Sequence, residues 1–276
     1  MTKVIGVDLG GTNLRAAVIN TDTGTFEHLT SIPTLAREGH DAVMQRMALL
    51  IEQVISASGL KKAEIDGIGI GVPGVLDLER GLTVMLPNLP GRWPNVPLRK
   101  TIADRVQLPT WLINDARALT LGEYTFGAGR GVDTIACFGI GTGIGGGLVI
   151  NGQLHLNLGG TSAELGHTVI DMNGPLCGCG TRGCLEAYAS GPAITAMGLK
   201  AVVQGATTRI GEMVNYDLNR ITPKIIAEAA HAGDAIAKDI YEQAGFYIGV
   251  AVANIIIAVG PQKVVIGGGV SQAGDL

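Results

Sequence analysis

Hydrophobic residues along the chain fall into short runs separated by glycine-rich turns. Residues 4–8 form a β-branched run, residues 9–13 turn, and residues 14–19 resume the apolar pattern, which predicts a hairpin with a glycine turn. The same order recurs where residues 134–138 and 144–150 flank a second glycine-rich turn. One such unit near the start of each half indicates two related domains.

Helical and extended patterns alternate between and after the two hairpins. Apolar residues recur at helical spacing over residues 42–58, and Gly59 ends the pattern. The other predicted elements are strands at 65–72, 110–113 and 263–266 and helices that begin at Pro223 and span 235–259. This alternation predicts an α/β fold with two domains, residues 1–115 and 116–276. No function is assigned to residues 200–221.

The composition is that of a globular chain. It has 276 residues and a formal net charge of -4, and 46% of its residues are hydrophobic whereas 16% are charged. The acidic balance argues against a nucleic-acid partner. Four cysteines are too few for a disulfide scaffold, and no basic and apolar leader begins at Met1, so a cytoplasmic location is expected.

The longest apolar stretch covers residues 244–259. It contains Gly245 and Gly249, is interrupted by Asn254, and is shorter than the roughly 20 residues that a membrane span needs. It is interpreted as a buried helix, and no membrane partner is expected.

Asp8 ends the first predicted strand and leads into Gly10, Gly11 and Thr12. Glycine N–H groups can approach an anion without a Cβ in the way, so this turn is suited to bind a phosphate. The neighbouring Asp8 carboxylate is suited to hold Mg²⁺. The alternative is a tight hairpin turn that happens to contain an aspartate.

Gly141, Thr142 and Gly143 begin a second glycine turn whose letters match the dinucleotide-binding pattern G-x-G-x-x-G. That pattern must open a helix, whereas residues 147–150 continue as a strand. A Walker loop is excluded because no Gly-Lys-Ser/Thr follows any of the glycine clusters. A second phosphate-binding turn remains. The third glycine cluster, after the last predicted strand, consists of Gly267, Gly268 and Gly269.

Asn114 and Asp115 follow the apolar strand at residues 110–113, at the end where open α/β sheets bind their ligands. In phosphoryl transfer the base needs only to accept the proton of the attacking hydroxyl, so Asp115 is a candidate general base. The alternative is that Asp115 caps the helix that follows.

Cys177, Cys179 and Cys184, with His167 upstream, offer three thiolates and one imidazole within a glycine-rich segment. This donor set is typical of a tetrahedral zinc site. Four protein ligands leave no position for water, so the site is predicted to be structural rather than hydrolytic. The alternative is three reduced cysteines in a flexible loop.

Glu164, His167 and Glu186 flank these cysteines and offer the carboxylates and imidazole that sugar hydroxyls bind. Because Glu186 follows Cys184 closely, a metal-ordered loop would fix its position and connect the zinc with substrate recognition. Each glutamate taken alone is also explained as a solvated surface charge.

Together these motifs resemble the ROK (repressor, open reading frame, kinase) family, which includes sugar kinases. The resemblance rests on Asp8 with its glycine turn, on Glu164-Leu-Gly-His167 and on the cysteine segment 177–186, and it spans nearly the whole chain. It implies the two-domain actin-like, ribonuclease H-like ATPase fold, in which ATP and sugar meet between the domains.

The resemblance also implies a role for each candidate residue. Asp115 resembles the catalytic base that takes the proton from a hexose 6-hydroxyl. The residues that resemble sugar ligands are Gly74, Asn88, Asn114, Asp115, Glu164, His167 and Glu186. Those that resemble the ATP site are Asp8 with Mg²⁺, Gly10, Gly11, Thr12, Gly141, Thr142, Gly143, Gly267, Gly268 and Gly269. His167 would use one ring nitrogen for zinc and the other for the sugar.

Residues 177–191 resemble the glucokinase branch, which implies phosphorylation of glucose by ATP. Kinases of N-acetylglucosamine, N-acetylmannosamine, mannose and fructose share the same base and zinc set, and polyphosphate is an alternative donor in the family. A sugar-responsive repressor is the alternative from another class. It requires an added DNA-binding domain, which is not expected here because the hairpin already begins at Val4 and the charge balance is acidic.

Two further expectations come from the family. Relatives commonly form dimers or tetramers, so a homo-oligomer is expected. Relatives also continue past the position of Leu276 through helical structure that returns to the first domain, so this C-terminal segment is expected to be missing.

Overall fold

The computed structural model describes residues 2–156 and 160–276. Within it the chain forms two compact units. Unit 1 comprises Met1–Arg130 and Leu154–Ser162, and unit 2 comprises Gly131–Gln153 and Ala163–Leu276. Each unit has its own sheet and its own cluster of buried apolar side chains, as expected for an α/β fold with two domains.

Unit 1 is built on a five-stranded sheet. The strands of unit 1 are β1 (Lys3–Leu9), β2 (Asn13–Asn20), β3 (Phe26–Pro33), β4 (Gly67–Val72), β5 (Val75–Asp77), β6 (Leu82–Met85) and β7 (Thr110–Asn114). The large sheet has the order β3-β2-β1-β4-β7, and β5 and β6 form a small separate sheet. β1 and β2 are the predicted hairpin, whereas β1, β4 and β7 run parallel.

The helices of unit 1 cover this sheet. They are α1 (His40–Ser58), α2 (Leu98–Val106) and α3 (Asp115–Thr125). α1 buries the apolar residues that predict it, and it ends at Gly59, which adopts the left-handed conformation (φ 70°) that glycine accepts without strain. The helix predicted over residues 42–58 is therefore confirmed.

Unit 1 extends past the predicted domain end at Asp115. α3 packs against β4 and β7, and the chain as far as Arg130 belongs to the same compact unit. Asp115 is the first residue of α3, so a division there would separate this helix from the strands on which it packs.

Unit 2 contains a four-stranded sheet of order β10-β9-β8-β11. The strands of this sheet are β8 (Ile135–Ile140), β9 (Ile144–Ile150), β10 (Gln153–Leu154) and β11 (Lys263–Gly267), and Leu154 at the end of β10 is also the first residue of the second segment of unit 1. The helices of unit 2 are α4 (Glu186–Ala189), α5 (Gly191–Val203), α6 (Arg209–Met213), α7 (Pro223–His231) and α8 (Ala235–Val259). β8 and β9 form the second predicted hairpin, and β11 pairs in parallel with β8. The helices predicted at Pro223 and over 235–259 are confirmed.

The prediction that residues 244–259 form a buried helix is wrong for one face of α8. Ala251 and Ile255 pack in the core of unit 2, but Phe246 is 69% exposed and Ile257 is 88% exposed. α8 has 25 residues and is long and apolar enough to cross a membrane, a property that it shares with core helices of globular domains. Hydrophobic residues occur all round this helix, so the sequence pattern does not distinguish its buried face.

Candidate active site

Three candidate positions of unit 1 lie at the same edge of its sheet. The parallel register pairs Asp8 with Gly71 and Val72 with Asn114, so the carboxyl ends of β1, β4 and β7 meet there. Asp115 follows β7 directly. This edge is where open α/β sheets place ligands, as the sequence predicts for Asp115.

Asn114, rather than Asp115, is the N-cap of α3. The Asn114 Oδ1 atom accepts hydrogen bonds from the backbone N–H groups of Ala116 at 3.0 Å and Arg117 at 3.3 Å. The alternative interpretation of Asp115 as the helix cap is therefore wrong. Asp115 is exposed, and its Oδ1 accepts from the Ala116 N–H at 2.8 Å, so its carboxylate remains accessible at the start of the helix.

Asn114 is hydrogen-bonded to Gly74, another predicted sugar ligand. Its Nδ2 donates to the Gly74 carbonyl oxygen at 3.1 Å. Gly74 has φ 100°, and a Cβ there would lie 2.7 Å from the ring of Pro87. Only glycine therefore suits this position, next to the segment that contains Asn88.

The turn that contains Gly10, Gly11 and Thr12 is held from one side by Thr34. The Thr34 hydroxyl donates to the Gly10 carbonyl at 2.7 Å, and its backbone N–H donates to the Thr12 carbonyl at 2.8 Å. A Cβ on Gly11 would lie 3.0 Å from the Asn88 carbonyl oxygen. The turn and the Asn88 segment are thus brought together in unit 1.

The Asp8 carboxylate lies 3.3 Å from the Arg15 guanidinium across the hairpin, and both side chains are half exposed. A cavity of about 680 Å³ in unit 1 is lined by Asp8, Arg15, Gly71 and Asp115, together with apolar side chains. Two of the predicted carboxylates therefore line one cavity.

The glycine clusters of unit 2 also meet at one sheet edge. Gly267 pairs with Gly139 in the parallel register of β11 and β8, so Gly268 follows at the end where the turn of Gly141 and Gly143 begins. Gly268 has φ 95°, and a Cβ there would lie 2.7 Å from the Ile140 backbone nitrogen. The two clusters predicted to surround the nucleotide are thus neighbours, and close contact explains the glycine.

Glu186, at the start of α4, holds the turn between β8 and β9. Its Oε2 accepts a hydrogen bond from the Ile144 N–H at 2.9 Å, and a Cβ on Gly143 would lie 2.5 Å from this oxygen. Its Oε1 lies 3.6 Å from the Cys177 sulfur. One carboxylate therefore joins the glycine turn to the cysteine segment.

The four predicted metal ligands form one cluster in unit 2. The ligand atoms of His167, Cys177, Cys179 and Cys184 all lie within 4.8 Å of one another. Cys179 and Cys184 have sulfurs 3.6 Å apart, and the Cys177 sulfur lies 3.6 Å from His167 Nδ1. Two sulfurs bound tetrahedrally at about 2.3 Å from zinc are separated by about 3.8 Å. The donor set and spacing therefore fit zinc.

The cysteine thiols differ in their electrostatics. Burial raises the pKa of Cys177 and raises that of Cys184 to about 12. A backbone hydrogen bond from Thr181 lowers the pKa of Cys179. Thiols with raised pKa are protonated at neutral pH, so a cation bound here would displace protons.

The loop that carries the cysteines depends on a close backbone approach at Gly183. This glycine has φ 73°, and a Cβ there would lie 2.6 Å from the Asp171 carbonyl carbon. The Ile170 N–H donates to the Gly183 carbonyl at 2.8 Å. His167 ends a short 3-10 turn, Leu165–His167, whose N-cap is Glu164, so the loop begins next to both residues.

Arg117 contacts the predicted sugar ligand Asn114 but is not among the residues predicted from the sequence. Its guanidinium is fully buried and its Nη1 donates to Asn114 Oδ1 at 3.1 Å. Its position three residues after Asn114, on a predicted helix, is the signal from which this contact could have been found.

The amino-acid sequence matches the ROK family model over residues 4–276. The chain belongs to the ROK family. This ROK chain is 39% identical over 274 residues to a glucokinase of Thermotoga maritima, a match that covers 99% of this chain and 84% of the relative. It is also 33% identical to a xylose repressor of Caldicellulosiruptor bescii, covering 99% of this chain and 67% of the repressor.

A solved structure gives the same classification. A ROK family glucokinase from Streptomyces griseus, in complex with glucose and AMPPNP, matches with a TM-score of 0.85 and 32% identity, over 99% of this chain and 85% of that one. The predicted ROK resemblance and the α/β fold of ROK sugar kinases are therefore confirmed.

Proposed function

We propose that this ROK chain transfers the γ-phosphoryl group of MgATP to the 6-hydroxyl of a hexose, with glucose as the sugar. The observation that carries the proposal is that Asp115 is exposed at the carboxyl ends of β1, β4 and β7. Asn114 is the N-cap of α3, so this helix does not require the Asp115 carboxylate as its cap. The glucokinase relatives, one of which binds glucose and AMPPNP, support glucose and ATP as substrates.

Asp115 is proposed to act as general base. In the reaction the sugar oxygen forms a bond to the γ-phosphorus, the bond from that phosphorus to the leaving ADP oxygen breaks, and Asp115 accepts the hydroxyl proton. The base needs access rather than a strongly perturbed pKa, because catalysis of phosphoryl transfer comes mostly from positioning and charge stabilisation. Gly74, Asn88 and Asn114 are proposed to bind the sugar from unit 1.

Glycine turns are proposed to bind the nucleotide. Backbone N–H groups of the turns at 10–12 and 141–143 would contact phosphates, and residues 267–269 would lie near the adenosine. Asp8 would hold Mg²⁺, which neutralises charge on the phosphates during transfer.

His167, Cys177, Cys179 and Cys184 are proposed to hold a structural zinc ion. With all four positions occupied by protein, the ion would order the loop rather than activate water. Glu186, itself a proposed sugar ligand, contacts both Cys177 and the Ile144 N–H. An ordered cysteine loop would therefore also fix the position of Glu186 and of the glycine turn at 141–143.

The test is ADP release from MgATP by the purified chain with glucose, mannose, fructose, N-acetylglucosamine and N-acetylmannosamine. Turnover that is strongest with glucose supports the proposal, and preference for an N-acetyl sugar replaces the substrate while keeping the mechanism. Polyphosphate in place of ATP tests the alternative donor. Glucose binding without turnover would contradict the kinase proposal and favour a role as a repressor, the class to which one relative belongs by name.

Asp115→Asn should lower kcat by about 100-fold or more, because loss of a general base typically costs that much. Sugar binding, measured by titration calorimetry, should stay near the wild-type value because the amide keeps the size of the carboxylate. Asp239→Asn, an exposed carboxylate on α8, is the matched control and should keep full activity. Near-normal turnover of Asp115→Asn would refute the assignment of the base.

A further inference from the structure

Arg117 places a cation inside unit 1 beside the proposed sugar ligands. The side chain is fully buried on the first turn of α3, two residues after Asp115. Its Nη1 donates to Asn114 Oδ1 at 3.1 Å and its Nη2 donates to the Ser162 carbonyl. A buried charge is costly unless it is hydrogen-bonded, so a buried arginine in this position requires an explanation.

The hydrogen bonds around Asn114 fix which way its amide points. Oδ1 accepts from three N–H donors, namely Ala116 N at 3.0 Å, Arg117 N at 3.3 Å and Arg117 Nη1 at 3.1 Å. A flipped amide would place NH₂ hydrogens against all of these donors. The guanidinium cannot lose its proton, so it always disfavours the flipped state.

This orientation determines what Asn114 offers to a ligand. One Nδ2–H goes to the Gly74 carbonyl at 3.1 Å, and a primary amide has a second N–H. With Oδ1 committed to α3, the amide can act on a sugar only as a donor.

We propose that Arg117 is a positioning residue for sugar binding, which locks Asn114 with its second amide N–H directed to a sugar oxygen. This inference rests on the proposed function, since it assigns how one of its sugar ligands is oriented. Arg117 itself does not touch the sugar. Its planar fork is suited to the task because it reaches Asn114 and the Ser162 carbonyl with separate nitrogens, which a lysine ammonium does less well.

The test compares Arg117→Met, which keeps the length of the stem, with Arg117→Lys, which keeps the charge. KM for glucose should rise about tenfold or more in Arg117→Met, as expected for loss of a charged hydrogen bond, and less in Arg117→Lys. KM for ATP should stay within about twofold of wild type. A purely structural role would instead change stability without separating the two KM values.

Thr120→Val is the matched control. Thr120 is also fully buried on α3, but its hydroxyl donates to the Ala116 carbonyl at 2.8 Å rather than to Asn114. The variant should lose stability and keep both KM values. An equal rise of the glucose KM in Thr120→Val would overturn the proposal, because general loosening of α3 would then explain the effect.

A double-mutant cycle isolates the route through Asn114. In an Asn114→Ala background, Arg117→Lys should add no further rise in glucose KM. Independent, additive effects would overturn the proposal, since Arg117 would then act by another contact.

The side-chain amide resonances of Asn114 give a readout that does not require activity. In Arg117→Lys these two N–H signals should shift and exchange faster with solvent. Unchanged signals would overturn the inference even if wild-type protein phosphorylates glucose. Failure of wild-type protein to turn over any sugar would contradict the proposed function, and the amide signals would still decide the role of Arg117.

Discussion

Gly143→Ala tests whether the Glu186 carboxylate holds the glycine turn of unit 2. The new Cβ would lie 2.5 Å from Glu186 Oε2, so the carboxylate must move. This movement would break the 2.9 Å hydrogen bond that Oε2 accepts from the Ile144 N–H. Ile144 is only 2% exposed, so its N–H cannot readily be satisfied by water. A hydrogen bond to a charged group contributes about 1.5–3 kcal/mol. This corresponds to about a tenfold to hundredfold change in a local opening equilibrium.

The assay is amide hydrogen exchange at Ile144, which reports local opening directly. Exchange should accelerate about tenfold to hundredfold in Gly143→Ala. Gly141→Ala is the matched control in the same turn, since a Cβ there meets nothing within 4 Å. The reasoning is refuted if Gly143→Ala exchanges at the wild-type rate, or if both variants accelerate equally.

Two further predictions concern unit 2. Cys179→Ser should remove zinc, measured as metal per chain by mass spectrometry, whereas Cys137→Ala, a buried cysteine of β8 outside the cluster, should retain it; absence of zinc from active wild-type protein would contradict the metal assignment. Burial raises the pKa of Asp234, but hydrogen bonds from the N–H groups of Ala237 and Arg209 and from a threonine hydroxyl outweigh it and lower the pKa below its ordinary value of 3.8. Asp234→Asn should therefore reduce stability at neutral pH, and the difference from wild type should shrink as pH falls below about 3.8, whereas a gap that widens in acid would contradict the assignment.

Local patterns were sufficient to predict much of the fold. The hairpins β1–β2 and β8–β9 follow from apolar runs on either side of a glycine turn, and α1 follows from apolar residues at helical spacing that end at Gly59. α8 follows from a long apolar stretch, which does not show which face of the helix is buried. The sequence pattern does not predict β3, because its residues are mostly exposed and lack the alternation of apolar and polar residues that marks a half-buried strand. β3 forms because it pairs with β2, and the position of β2 is set by the β1–β2 hairpin. The sequence of β3 alone therefore does not predict the strand.

The candidate site was predictable where function depends on spacing within one segment. The cysteine cluster follows from a short loop, and the structure brings its four ligand atoms together. The contact of Glu186 with Ile144 spans 42 positions, and the burial of Arg117 depends on Ser162, 45 positions away. Such contacts are fixed by tertiary packing, so no local pattern encodes them.

The discontinuity of unit 1 has a consequence for folding during synthesis. Leu154–Ser162 belongs to unit 1 but leaves the ribosome only after Gly131–Gln153, which belongs to unit 2. Chains emerge at about 5–20 residues per second, slower than helices and hairpins form. The sheet of unit 1 can therefore assemble while the Arg117 guanidinium still lacks the Ser162 carbonyl. An N-terminal fragment that stops at Arg130 would never gain this hydrogen bond, because Ser162 lies beyond its end.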